Sequence, residues 1–268
     1  MGSVDEVAAL RAGALARAAA RTPGPPMATE DSRIAGVPVR AYQSGATPIT
    51  VFFHGGGFVV GDLDTHDAQV RRLAHATGAS VVAVDYRRAP EHPWPAAVDD
   101  AEAVLTSLAG TGAPLAVAGD SSGGMIAALA ALRVPGLVAQ LLICPNADPT
   151  LSSPSVRSEA DNPFLDPGVL RRWIGWWLPD AAVRSSAAVN LLVADVHAQP
   201  PALIVTAEHD PLRDEGEAYA ARLGDAGVPV RHWREPGLLH DFPTMRDADP
   251  GAAAAEDRFL AAARELLS

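Results

Sequence analysis

A chain of 268 residues can bury one large core, and 48% hydrophobic with 20% charged residues is the make-up of a globular protein rather than a disordered or fibrous one. The formal net charge of -11 and the absence of lysine argue against a polyanionic partner: all 21 basic residues are arginine, clustered no more densely than the pairs Arg71-Arg72, Arg87-Arg88 and Arg171-Arg172, so nucleic acid is not an expected ligand. A lone cysteine, Cys144, excludes an intrachain disulfide, and no stretch reaches the roughly 18 apolar residues of a membrane span. Asp5, Glu6, Arg11 and Arg17 interrupt any apolar run that would serve as a signal peptide, so a cytoplasmic protein without a membrane partner is expected.

In chain order, Val4, Val7, Leu10 and Ala14 stand at helical spacing and predict a helix over 4–20, ended by Pro23-Gly24-Pro25-Pro26. From about residue 33, short apolar runs alternate with helical patterns. Strands are expected at 37–42, 49–53, 81–84, 115–118, 137–143, 203–206 and 228–232, and helices at 65–77, 96–109, 122–132, 213–226 and 251–267. That alternation predicts an α/β fold with a mostly parallel sheet and helices on both faces, in a single domain over 1–268. The stretch from Pro149 to about Pro201 breaks the pattern and carries one aromatic helix near 166–178, as an insertion over the edge of the sheet would. Cys144 lies in the apolar run Leu141-Leu142-Ile143-Cys144, where a buried, inert thiol is expected.

Gly119-Asp120-Ser121-Ser122-Gly123-Gly124 joins a predicted strand to a predicted helix, the context of a G-x-S-x-G nucleophile turn. Ser121 has glycine two residues before and after it, whereas Ser122 has Asp120 two before, so Ser121 is the expected nucleophile. A phosphate-binding loop would need a lysine after its glycines, and there is none. His54-Gly55-Gly56-Gly57 follows another predicted strand, and glycines there let backbone N–H groups approach a carbonyl oxygen that becomes negative. Gly56, Gly57 and Ser122 are the expected oxyanion donors; His54, upstream of the serine, is expected to brace the loop. The acid and base should follow the nucleophile in the chain. Asp210 and His240 both stand where loops leave the carboxyl ends of predicted strands. Asp214 competes for the acid role but falls one turn into a helix, where the dipole explains it. His197 and His232 are expected to be structural.

With these residues in view, the chain resembles the hormone-sensitive lipase family of α/β-hydrolases, the bacterial family IV esterases. The similarity runs from about residue 48 to 245 and rests on HGGG at 54–57, on the stretch Asp85-Tyr86-Arg87-Arg88-Ala89-Pro90-Glu91-His92-Pro93-Trp94-Pro95-Ala96-Ala97, on GDSSGG at 119–124 and on Asp210-Pro211-Leu212-Arg213-Asp214-Glu215. The resemblance implies an α/β-hydrolase fold, a triad of Ser121, Asp210 and His240, an oxyanion hole at Gly56, Gly57 and Ser122, no metal or other cofactor, and a small helical cap at about 1–30 and 150–195. The chain departs from the family's pattern in Asp241, where glycine often follows the histidine, in Arg88, and in an N-terminal segment that looks short.

Trp173 and Trp177, on one side of the inserted helix with Leu170 and Ile174, either hold the cap to the body or line an acyl or alcohol pocket; Arg87 and Glu91 are expected to be structural. The expected function is a serine carboxylesterase acting on small, short-chain acyl esters through an acyl-enzyme. An amidase, thioesterase or acyltransferase with the same triad stays open, as does a non-catalytic small-ligand receptor on the same fold, and the pattern is compatible with a homodimer.

Overall fold

In the computed structural model, residues 4–42, 48–159, 162–163 and 165–268 are described. Eight strands join in one sheet: β1 (Thr29–Ile34), β2 (Val37–Tyr42), β3 (Ile49–Phe53), β4 (Ser80–Val84), β5 (Leu115–Asp120), β6 (Ala139–Ile143), β7 (Ala202–His209) and β8 (Val230–Leu239). Their order is β1-β2-β4-β3-β5-β6-β7-β8, parallel throughout except that β2 opposes both β1 and β4.

Strand periodicity decides the two cores. Val51, Phe53, Val82, Val84, Val117, Leu142 and Ile204 point to one face, while Phe52, Val81, Ala83, Ala118, Leu141, Leu203 and Val205 point to the other. The first face is covered by α3 (Ala96–Ala109), α4 (Ser122–Arg133) and α7 (Arg213–Asp225), the second by α2 (Leu63–Thr77) and α8 (Pro250–Leu267). Nearly every strand residue between β3 and β6 is buried, which is why these strands read as unbroken apolar runs.

Two elements differ from the sequence expectation. β1 was invisible to a hydrophobic pattern because Thr29 to Arg33 are exposed; pairing with β2 holds it, across a tight turn in which Ala35 and Gly36 both have positive φ, 50° and 83°. β8 runs on through Pro236 to Leu239, beyond the expected end at 232. Proline is tolerated there because β8 lies at the sheet edge and owes no hydrogen bond to a further neighbour.

The remaining helices lie outside the alternation. α1 (Val4–Ala19) is fixed by Val7, 2% exposed, and by Arg11, which donates to the carbonyls of Val59 (2.9 Å) and Ala89 (3.1 Å) and grips Glu91 with two bonds of 2.8 Å. The short α5 (Ser155–Ser158) and α6 (Pro167–Trp177) belong to the insertion between β6 and β7. Asp166 caps α6 by accepting the Val169 N–H at 2.9 Å, and an Arg172–Glu6 ion pair of 2.7 Å ties it to α1. Among the described residues no helix is long and apolar enough to cross a membrane.

Candidate active site

Ser121 stands between the last residue of β5 and the first of α4 with φ 53° and ψ -122°, a left-handed backbone that costs a non-glycine residue free energy. The turn is that sharp because nothing larger than glycine fits around it. A Cβ on Gly119 would overlap the backbone of Gly123, and one on Gly123 would overlap the carbonyl of Phe53. The Ser121 N–H donates to the Ile143 carbonyl at 2.9 Å, and its own carbonyl accepts from Asn146 at 3.1 Å, so the strained residue is held from both sides.

The parallel register of Phe53 opposite Gly119 brings the end of β3 beside Ser121. The glycine loop leaves there and folds back, Gly56 accepting from the N–H groups of Val59 (3.1 Å) and Val60 (2.9 Å). Positive φ at Gly56 (121°) and Gly57 (58°) makes that path costly for any other residue. No described residue accepts a hydrogen bond from the N–H of Gly56, Gly57 or Ser122. Beyond the loop, a capping box between Asp62 and Thr65, with both bonds at 2.8 Å, starts α2.

His54 is buried and does not reach Ser121. Its Nδ1 lies 2.8 Å from the Gly55 carbonyl, its ring stacks on Tyr86 with centroids 4.3 Å apart, and the Tyr86 hydroxyl donates to the His54 carbonyl at 2.7 Å. Burial drives the His54 pKa well below the ordinary value, with nearby His66 adding to the effect, which suits a neutral loop brace.

At the ends of β7 and β8 the structure brings Asp210 and His240 together. His240 Nε2 is 3.0 Å from Ser121 Oγ, and its Nδ1 is 2.8 Å from Asp210 Oδ2, while Asp210 Oδ1 accepts the Leu212 N–H at 2.8 Å. Asp210 is fully buried and His240 nearly so. Burial pulls the imidazole pKa down, but Asp210, Asp241 and Asp120 outweigh it, so the net direction is upward. Asp241 adopts φ 61°, the left-handed region where glycine costs least and aspartate is tolerated. Burial and the neighbouring Asp120 raise its carboxyl pKa.

Asp214 points elsewhere: it accepts the Ser155 N–H at 2.8 Å and pairs with Arg213 at 2.9 Å, pinning α5 to the start of α7. His197 is exposed beside Asp195, and His232 lies against Thr206, both away from the serine. Arg87 grips Asp100 at 2.7 Å, and Glu91 holds Arg11. Cys144 is buried with its thiol pKa pushed up by burial. Its sulfur, an Asp210 oxygen and a His240 nitrogen lie within 4.8 Å of one another, the one metal-type grouping among the described residues, with Asp210 and His240 already bonded to each other.

The two tryptophans separate. Trp177 is fully buried, stacked on Phe58 with centroids 3.7 Å apart and edge-on to Trp94, packed as the first of the two expectations for it describes. Trp173 is only partly buried and lies directly on Gly57, where an added Cβ would overlap its ring.

Two supporting residues escaped the sequence reading. Buried Asp120 accepts the Gly55 N–H at 3.1 Å and faces His66 Nε2 at 3.4 Å, tying elbow to glycine loop. Glu215, fully buried, accepts the N–H groups of Ala147 (2.8 Å) and Asp148 (3.2 Å), and burial raises its pKa to about 8. Their place inside the motifs was the only signal, since each acts on backbone about 65 residues away in the chain.

Residues 50–244 match the family described as having the alpha/beta hydrolase fold, and the chain belongs to that α/β-hydrolase family. Within it the similarity is to the hormone-sensitive-lipase-like esterases. Carboxylesterase NlhH of Mycobacterium tuberculosis is 42% identical over 253 residues, covering 86% of this chain and 79% of its own. Ethyl acetate hydrolase of Pseudomonas putida is 35% identical over 241 residues, 80% of this chain and 75% of that one. Among solved structures, an esterase of Pyrobaculum calidifontis superposes with a TM-score of 0.89 at 33% identity, over 100% of this chain and 94% of that one.

Proposed function

We propose that the protein is a serine carboxylesterase for short-chain acyl esters, with Ser121 as nucleophile, His240 as general base and acid, Asp210 as its orienting partner, and Gly56, Gly57 and Ser122 as oxyanion donors. The observation that carries this reading is the unbroken series from Ser121 Oγ through His240 to Asp210, at 3.0 and 2.8 Å. The names of the relatives, carboxylesterase, ethyl acetate hydrolase and esterase, support it.

In this reading Ser121 Oγ attacks the ester carbonyl carbon as its proton passes to His240 Nε2. The carbonyl oxygen becomes negative against the N–H groups of Gly56, Gly57 and Ser122, each donor worth about 3 kcal/mol to the transition state. Collapse breaks the bond to the alcohol oxygen, which takes the proton from His240 and leaves. Water then attacks the acyl-Ser121 ester, giving its proton to His240, and the carboxylic acid departs with Ser121 restored.

The whole chain acts as one catalytic domain roofed by α1 and the insertion, and the single buried cysteine supports a cytoplasmic location. Trp173, resting on the glycine loop, closes the acyl site. Each methylene adds about 0.8 kcal/mol until that wall is met, so the specificity constant is expected to peak at about two to six acyl carbons and fall beyond about eight. An organophosphonate is expected to add once, with peptide mapping on Ser121; an adduct on Ser122, or none, overturns the nucleophile. Trp173→Ala is expected to move the chain-length optimum upward, and an unchanged optimum removes Trp173 from the wall.

A further inference from the structure

Beside the glycine loop lies a cavity of about 220 Å³. One wall is the loop itself, with Gly55 and Gly56. Asp241, the residue after His240, also lines it, and α1 with the turn that follows supplies Arg17 and Arg21. An apolar cavity of about 150 Å³ already accepts benzene, so a benzoate-sized group fits the space.

The two arginines stand apart from the way this chain uses most of its guanidinium groups. Arg11, Arg40, Arg71, Arg72, Arg87, Arg133, Arg234 and Arg258 each hold a carboxylate. Among the described residues neither the Arg17 nor the Arg21 guanidinium makes a hydrogen bond or an ion pair, though Arg21 is near enough to Asp241 to act on its carboxyl. Their segment is nevertheless anchored, since the Thr22 N–H donates to Asp247 at 2.7 Å and the Arg21 N–H to the Ala18 carbonyl at 3.0 Å. Two guanidiniums without an ion-pair partner among the described residues thus line a pocket that takes in Gly56 of the glycine loop and Asp241, the residue after His240, in a chain with net charge -11.

Other charges facing the cavity do not cancel them. His66 faces the cavity and pairs with Asp120 at 3.4 Å, a carboxylate that favours the protonated imidazole against the effect of burial. Asp241 is one carboxylate against two guanidiniums, and burial favours its neutral form. Which half of the ester enters follows from the chemistry: the leaving oxygen must take its proton from His240 Nε2, so the alcohol portion is the half nearer to Asp241, the residue after His240 and the one that lines the cavity.

Resting on the carboxylesterase reading above, we infer that the alcohol portion of the preferred substrate carries an anionic group, a carboxylate above all, which Arg17 and Arg21 bind in this cavity. Arginine suits the task because its fork of donors matches a carboxylate in geometry as well as charge.

The test compares 4-acetoxybenzoate with its neutral methyl ester, each rate divided by that ester's own hydroxide-catalysed rate. Wild type is expected to prefer the anion in kcat/KM. Arg21→Gln and Arg17→Gln, singly and together, are expected to lower kcat/KM for the anion about tenfold or more through KM, and to leave the methyl ester within about twofold. Raising the salt concentration should erode the preference in wild type and not in the double variant. Equal effects of the substitutions on both esters, or a wild-type preference for the methyl ester, overturn the inference while leaving the esterase reading intact. A second pair places the charge on the acyl side, mono-4-nitrophenyl succinate against 4-nitrophenyl butyrate; arginine dependence there alone overturns the assignment to the alcohol side. Failure of wild type to hydrolyse any of the four esters defeats the esterase reading itself.

Discussion

Two histidine–aspartate pairs flank the glycine loop, and they are built for different work. On the base side, His240 and Asp210 approach to 2.8 Å with Ser121 a further 3.0 Å away, so a proton can pass along one line. On the loop side, His66 and Asp120 are 3.4 Å apart, and Asp120 spends its other oxygen on the Gly55 N–H. The first pair is aimed at the Ser121 hydroxyl and the second at a backbone. Residue type alone does not make a catalytic pair; what matters is the atom at the far end of the imidazole. The loop side also carries the heavier packing, with Trp177 stacked on Phe58 just after the glycines, whereas the base side rests on short hydrogen bonds.

The largest expected difference comes from removing one carboxylate charge on each side. Asp210→Asn should lower kcat by about 10⁴-fold with little change in KM, since the amide favours the wrong tautomer of His240. A loss of tenfold or less would mean that another group orients the base. Trp177→Ala should act on stability instead, by about 3–5 kcal/mol in denaturant unfolding, because a large side chain is deleted from a closed core. If that variant unfolds like wild type but shifts acyl-chain preference, Trp177 belongs to the substrate site after all.

Asp120→Asn should be milder than Asp210→Asn, at about tenfold to a hundredfold in kcat, because the asparagine oxygen can still accept from Gly55 while the ion pair with His66 is lost. Equal losses at Asp120 and Asp210 would erase the distinction between the two pairs. The smallest effect is expected from Asp241→Asn, which keeps the left-handed backbone and removes a charge that raises the His240 pKa. The base must be neutral to accept the serine proton, so the acid limb of the rate profile lies at the His240 pKa and should move to lower pH in the variant. A limb that stays in place would show that the Asp241 carboxylate is neutral throughout that range.

What could be read along the chain was local in origin. The elbow announces itself because Gly119 and Gly123 must lack side chains wherever strand turns into helix at such an angle, and the glycine loop because positive φ at Gly56 and Gly57 leaves little choice of residue. The alternation of strands and helices was legible for the same reason: burial on both faces of β3 to β6 writes itself as apolar runs. β1, whose exposed residues are held only by their partner strand, left no such mark.

Choices between like residues were settled elsewhere. Asp210 and Asp214 lie one helical turn apart in the same motif, and only the fold directs one to His240 and the other to Ser155. Trp173 and Trp177 occupy adjacent turns of one helix face, and only the loop opposite decides that one meets Gly57 and the other is sealed against Phe58. The sequence by itself determines backbone conformations that depend on few neighbours. Distances between groups far apart in the chain depend on how the layers pack, and the Ser121–His240–Asp210 series, the contact of Trp173 with Gly57 and the arginine-lined cavity all consist of such distances.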